Sequence, residues 1–85
     1  MSNRTVLITG CSSGVGRAAA YAFLDEEWRV YATARNPADI ETLGEAGCDI
    51  GTIDVRNDED VRRVVDRVVD EEGRIDALVN NAGYG

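Results

Sequence analysis

Thr9-Gly10-Cys11-Ser12-Ser13-Gly14-Val15-Gly16 follows directly on the apolar run Val6-Leu7-Ile8, and these eight residues decide how the chain is read. A strand that turns at once into a helix brings unpaired N–H groups and the positive end of the helix dipole to one point, which suits a phosphate. Side chains there would obstruct it. Gly10 permits the sharp turn, Gly14 lets the backbone approach a diphosphate, and Gly16 allows helix and strand to pack closely. Ser12 and Ser13 add hydroxyl donors. The spacing is G-x-x-x-G-x-G, not the commoner G-x-G-x-x-G. A phosphate loop ending in Gly-Lys-Ser/Thr is excluded, because all nine basic residues are arginines.

Outward from this turn the chain alternates. Short apolar runs at Thr5 to Thr9, Arg29 to Ala34, Asp49 to Asp54 and Ala77 to Asn80 predict strands, with three helically patterned segments between them. Apolar residues at successive strand positions, as in Val6-Leu7-Ile8, suit parallel strands covered on both faces. Right-handed crossovers then place helices on both sides of one sheet.

The first helix begins inside the glycine motif, and Val15, Ala18, Ala19, Ala22 and Phe23 read as its apolar side. Asn36-Pro37 starts a short second helix that buries Ile40 and Leu43 and stops near Gly47. The third has Asn57 as cap and Asp58, Glu59 and Asp60 in its first turn. Val61, Val64, Val65, Val68 and Val69 form its stripe, and Gly73 ends it.

Composition narrows the function classes. At 85 residues the chain is one domain with a small core. No apolar run could span a bilayer and no secretory signal is evident, so a soluble cytoplasmic protein is expected. Cys11 and Cys48 are too few for a disulfide framework, and without histidine a zinc site is not expected. Both read as reduced, semi-buried residues. Sixteen acidic residues against nine basic give a net charge of -7. Such a surface argues against nucleic acid and anionic membrane as partners, and its lack of lysine is halophile-like.

Thr9-Gly10-x-x-x-Gly14-x-Gly16, Asp54-Val55 after the third strand and Asn80-Asn81-Ala82-Gly83 after the fourth together resemble the short-chain dehydrogenases/reductases. The three motifs stand in order at the ends of predicted strands and span the chain. The resemblance implies an α/β fold: a Rossmann-type three-layer αβα half-domain over residues 1–85, with four parallel strands in the order 3-2-1-4. It also implies that Gly10, Ser12, Ser13, Gly14, Val15 and Gly16 hold a cofactor diphosphate. By the same likeness Asp54 and Val55 address the adenine, Asn81, Ala82 and Gly83 line a ribose, and Asn80 braces the sheet.

Cofactor preference follows from charge. NAD-binding relatives place an acidic residue at the end of the second strand, on the ribose 2′-hydroxyl. Here Ala34 occupies that place and Arg35 follows it. An uncharged residue leaves room for a 2′-phosphate and a guanidinium can bind it, so NADP is expected in preference to NAD. The family's other basic position holds Ser13.

The resemblance further implies hydride transfer between a nicotinamide and a carbonyl or alcohol carbon. The family's catalytic serine, tyrosine, lysine and further asparagine lie beyond the fourth strand, and a chain without lysine contains no Tyr-x-x-x-Lys pair. No catalytic residue is assigned; Tyr21 and Tyr31 read as packing residues. Two expectations follow: the cofactor-binding part of a longer oxidoreductase, or a dinucleotide-binding sensor without turnover. The edge of the fourth strand, at Ala77-Leu78-Val79, is a candidate homo-oligomer contact. A methyltransferase-like reading is disfavoured because Ala34-Arg35 offers no carboxylate to ribose hydroxyls.

Overall fold

The computed structural model describes residues 4–12, 14–54 and 56–81. Four strands, β1 (Thr5–Thr9), β2 (Arg29–Ala34), β3 (Asp49–Thr52) and β4 (Ala77–Asn80), form one parallel sheet in the order β3-β2-β1-β4. β1 lies between β2 and β4, with Leu7 opposite both Tyr31 and Leu78, and all five of its residues are buried.

Because successive side chains of a strand point to opposite faces, β1 and β2 feed two cores. Val6, Ile8, Val30, Ala32 and Ala34 pack with Ala20, Ile40 and Leu43. They lie beneath helix α1 (Gly14–Asp25) and helix α2 (Glu41–Ala46), the latter preceded by a 3-10 turn at Pro37–Ile40. Leu7 and Tyr31 face the other way and join Ile53 with Val64 and Val68 of helix α3 (Asp58–Glu72). The result is three layers with α1 and α2 on one side and α3 on the other.

The apolar side of α1 differs from expectation. Val15 is 70% exposed and Ala18 and Ala22 face solvent, while Gly16 and Ala20 are buried and Ala19, Phe23 and Leu24 are partly so. The phase is fixed by Gly16, whose backbone must press against the strand turn. Residues three, four, seven and eight positions further on then face the sheet. Several small apolar residues around the whole helix gave no contrast from which to read that phase.

α1 closes with Glu27 at φ 64°, while Trp28 N–H donates to the Phe23 carbonyl at 3.0 Å and Glu27 N–H to that of Leu24 at 2.9 Å. This is a Schellman closure, sealed by an edge-to-face contact of Phe23 and Trp28 with centroids 4.8 Å apart.

The second helix is split. Asn36 caps the 3-10 turn, its side chain accepting from Ala38 N–H at 3.1 Å, and Ile40 and Leu43 are fully buried as expected. α3 follows its sequence closely: Asn57 Oδ1 accepts from Glu59 N–H at 3.0 Å and Asp60 N–H at 3.4 Å, and Gly73 ends it at φ 81°. Val64 and Val68 are buried and Val61 and Val65 half-buried, but Val69 is 45% exposed. At 100° per residue it lies roughly 90° off the mean direction of the other four.

β3 is shorter than the run Asp49 to Asp54. Its pairing ends at Ala34 opposite Thr52; Ile53 N–H still reaches the Ala34 carbonyl at 3.1 Å, but Asp54 N–H turns to Asp60 Oδ2 at 3.2 Å.

Candidate functional site

The strand order reverses between β1 and β4, and the carboxyl ends of these neighbours form the crevice where open parallel sheets bind ligands. Thr9, paired with Asn80, organises it. Its buried hydroxyl donates to Asn80 Oδ1 at 3.0 Å and accepts from Asn81 N–H at 3.1 Å. Asn81 Nδ2 in turn donates to the Gly10 carbonyl at 3.3 Å. The fourth strand's end is thus fastened to the glycine turn, and Asn80 does brace the sheet.

Each glycine has a distinct physical reason. Gly10 adopts φ 69°, in the left-handed region. A Cβ on Gly16 would overlap the Gly10 carbonyl oxygen and stand 3.0 Å from both Asn81 Nδ2 and Cys11 Cα. A Cβ on Gly14 would meet no atom of the described residues within 4 Å. Internal packing therefore demands Gly16, whereas no described residue crowds Gly14 at the helix start.

The turn is tied to β2 as well. Cys11 N–H donates to the Thr33 carbonyl at 2.9 Å, and Thr33 Oγ1 donates to the Ile8 carbonyl at 2.9 Å. Burial pushes the Cys11 thiol pKa up. The Cys48 thiol is raised to about 11, again chiefly by burial, and neither cysteine is a ready nucleophile. Both are free and buried more fully than expected.

Electrostatics distinguish the helix ends. α3 carries Asp58, Glu59 and Asp60 in its first turn, whereas α1 has no acidic residue there. The positive end of α1 therefore keeps its field for an anion. Ser12, Gly14 and Val15 are exposed around it. Arg35 is exposed at the end of β2 and makes no hydrogen bond or ion pair with any described residue. Its charge nevertheless reaches Asp54.

Asp54 has a partner that sequence reasoning missed. Its Oδ1 accepts from the backbone N–H and Nε of Arg56, both at 3.0 Å, and its Oδ2 from Arg56 Nη2 at 3.0 Å. These bonds, helped weakly by Arg35, hold its pKa down at about 2. The two-residue spacing of acid and arginine at a turn is the signal that could have suggested this clamp. Thr9 also went without a role, although it stands inside the motif.

Tyr31 is excluded from chemistry at this edge. It is buried, with its hydroxyl 2.8 Å from Glu71 Oε1 and 2.7 Å from Glu72 Oε2, and burial foremost raises its pKa. Tyr21 is 41% exposed. Ser13, Val55, Ala82 and Gly83 lie outside the described residues. Among those described, no group of acidic or cysteine side chains could hold a metal ion, and no helix is long and apolar enough to cross a membrane.

The sequence model of the family described as short chain dehydrogenase matches residues 4–85. The chain belongs to that family. The chain is 43% identical over 83 residues to a short-chain dehydrogenase/reductase of Pestalotiopsis microspora, covering 96% of this chain and 30% of that protein. A short-chain dehydrogenase from Streptomyces avermitilis superposes with a TM-score of 0.90 at 38% identity, covering 96% of this chain and 31% of that one. A 3-ketoacyl-(acyl-carrier-protein) reductase from Brucella melitensis, complexed with NADH, superposes with a TM-score of 0.83 at 34% identity, covering 96% and 35%. The chain therefore spans about a third of the length of its relatives and matches a Rossmann-like half-domain.

Proposed function

We propose that residues 1–85 are the dinucleotide-binding part of an oxidoreductase that moves a hydride between NADP(H) and a carbonyl or alcohol substrate. The observation that carries the cofactor choice is Arg35: an exposed guanidinium with no hydrogen-bonding partner among the described residues, following Ala34 where a carboxylate would serve NAD. The solved Brucella relative is complexed with NADH, so the nicotinamide dinucleotide class has support from the family and the phosphate preference rests on Arg35.

The residues fit such a ligand. A Gly14 uncrowded by any described residue and the acid-free first turn of α1 suit a diphosphate, with Ser12, Ser13 and the Val15 backbone as donors. Asn81, held against Gly10, with Ala82 and Gly83, would line a ribose. Asp54 and Val55 would meet the adenine, and the Asp54 carboxylate stays ionised to accept from it. When bound, the nicotinamide supplies the hydride-carrying carbon. The chain's own part is to bind and orient, with no residue here assigned to proton transfer. We therefore propose that the chain by itself binds the dinucleotide without turnover. Its lysine-free acidic surface suits concentrated salt, and the exposed Leu78 on the edge strand β4 offers a contact to a second copy.

Calorimetric titration with NADP+ and NAD+ tests the reading. The chain should bind NADP+ more tightly, and Arg35→Asp should reverse that order. Equal affinities in both proteins would remove the role of Arg35, and no heat with either nucleotide from folded protein would remove the site.

A further inference from the structure

The five residues Arg35 to Asp39 are exposed between buried Ala34 and buried Ile40. Within the segment Asn36 bonds locally, through Oδ1 to Ala38 N–H and through its carbonyl to Asp39 N–H at 3.0 Å. Among the described residues, one hydrogen bond joins it to an element elsewhere in the chain. Arg17, in the first turn of α1, donates from Nη2 to the Asp39 carbonyl at 2.8 Å and from Nη1 to Thr42 Oγ1 at 3.1 Å. One planar guanidinium thus bridges the helix that opens on the glycine turn and the segment that carries Arg35.

We propose that Arg17 is a positioning residue for cofactor selection, its fork on Asp39 and Thr42 holding the Arg35 segment at the distance from the diphosphate seat that a 2′-phosphate requires. This rests on the cofactor reading above and adds a residue to it. The physical reason is rigidity. Arg35 sits on an exposed stretch, and a side chain aimed from a mobile backbone loses affinity to ordering costs each time it binds. A guanidinium fork loses less freedom per hydrogen bond than an ammonium, so it fixes a backbone carbonyl and a hydroxyl together where lysine would hold one loosely. Phosphate recognition by Arg35 depends on paired hydrogen bonds with set geometry, and is the interaction most sensitive to such drift.

A simpler role competes: Arg17 as a positive charge near the diphosphate. The two differ in what they predict. A charge acting on the diphosphate helps NADP+ and NAD+ alike, whereas a tether acting through Arg35 helps NADP+ alone.

The test is calorimetric titration with NADP+ and NAD+ at one fixed salt concentration, on the unmutated chain, Arg17→Met, Arg17→Lys, Thr42→Val, Arg35→Ala and the Arg17→Met/Arg35→Ala pair. Thermal melting checks that each variant folds. Arg17→Met should lower the ratio of NADP+ to NAD+ affinity about fivefold, the size expected of one coupled contact. Arg17→Lys should restore little of that ratio, and Thr42→Val should shift it the same way by less. In the Arg35→Ala background, Arg17→Met should change the ratio no further. Equal weakening for both nucleotides, full rescue by lysine, or an undiminished effect without Arg35 would overturn the positioning role and leave the cofactor site standing. Absence of binding by the unmutated chain would overturn both.

Discussion

Asn81 Nδ2 donates to the Gly10 carbonyl at 3.3 Å across 71 residues of sequence, and the same nitrogen would stand 3.0 Å from a Cβ placed on Gly16. The contact joins the end of β4 to the turn after β1. It leaves no volume at Gly16, because the carbonyl it uses is the atom that a Cβ would overlap.

Gly16→Ala should therefore destabilise the fold. Backbone atoms cannot rotate aside as a flexible side chain would, so the helix start must shift from the turn, at a cost of roughly 1–3 kcal/mol typical of overpacking. Urea denaturation measures it. A midpoint equal to that of the unmutated chain would contradict the close approach.

Gly14→Ala should separate stability from binding. The new methyl meets no atom of the described residues within 4 Å, and removing backbone freedom from the unfolded chain stabilises by about 0.4–1 kcal/mol. The same methyl stands where the diphosphate is proposed to lie. Melting temperature should hold or rise while dinucleotide affinity falls at least about tenfold, a loss of roughly 1.4 kcal/mol. Undiminished affinity would place the phosphates elsewhere.

Stability should also report on Glu72. Its carboxylate accepts from the Tyr31 hydroxyl at 2.7 Å and from Arg29 Nη2 at 3.1 Å, and these bonds lower its pKa, the tyrosine's foremost. A carboxyl lowered on folding contributes above its unfolded pKa of about 4.3, and that contribution is lost as pH falls through the lowered folded value. Glu72→Gln should cost about 1 kcal/mol at pH 7, with the difference shrinking toward pH 3. Urea midpoints of the two proteins at both pH values check this; a gap that widens in acid would reverse the assignment.

The sequence by itself determined the order of elements, the glycine turn, the caps at Asn57 and Gly73, and the family motifs, because each depends on residues near one another in the chain. Local hydrogen bonding and φ preference suffice to write them. Only the tertiary structure decided which side of α1 meets the sheet. Its alanines are nearly alike in hydropathy, and the choice fell to a steric contact between Gly16 and a carbonyl made rigid by Asn81, residues 65 apart. The reach of Arg17 to Asp39, across 22 residues of sequence, also belongs to the fold. A long charged side chain has many solvated alternatives of similar energy, and only packed neighbours select one.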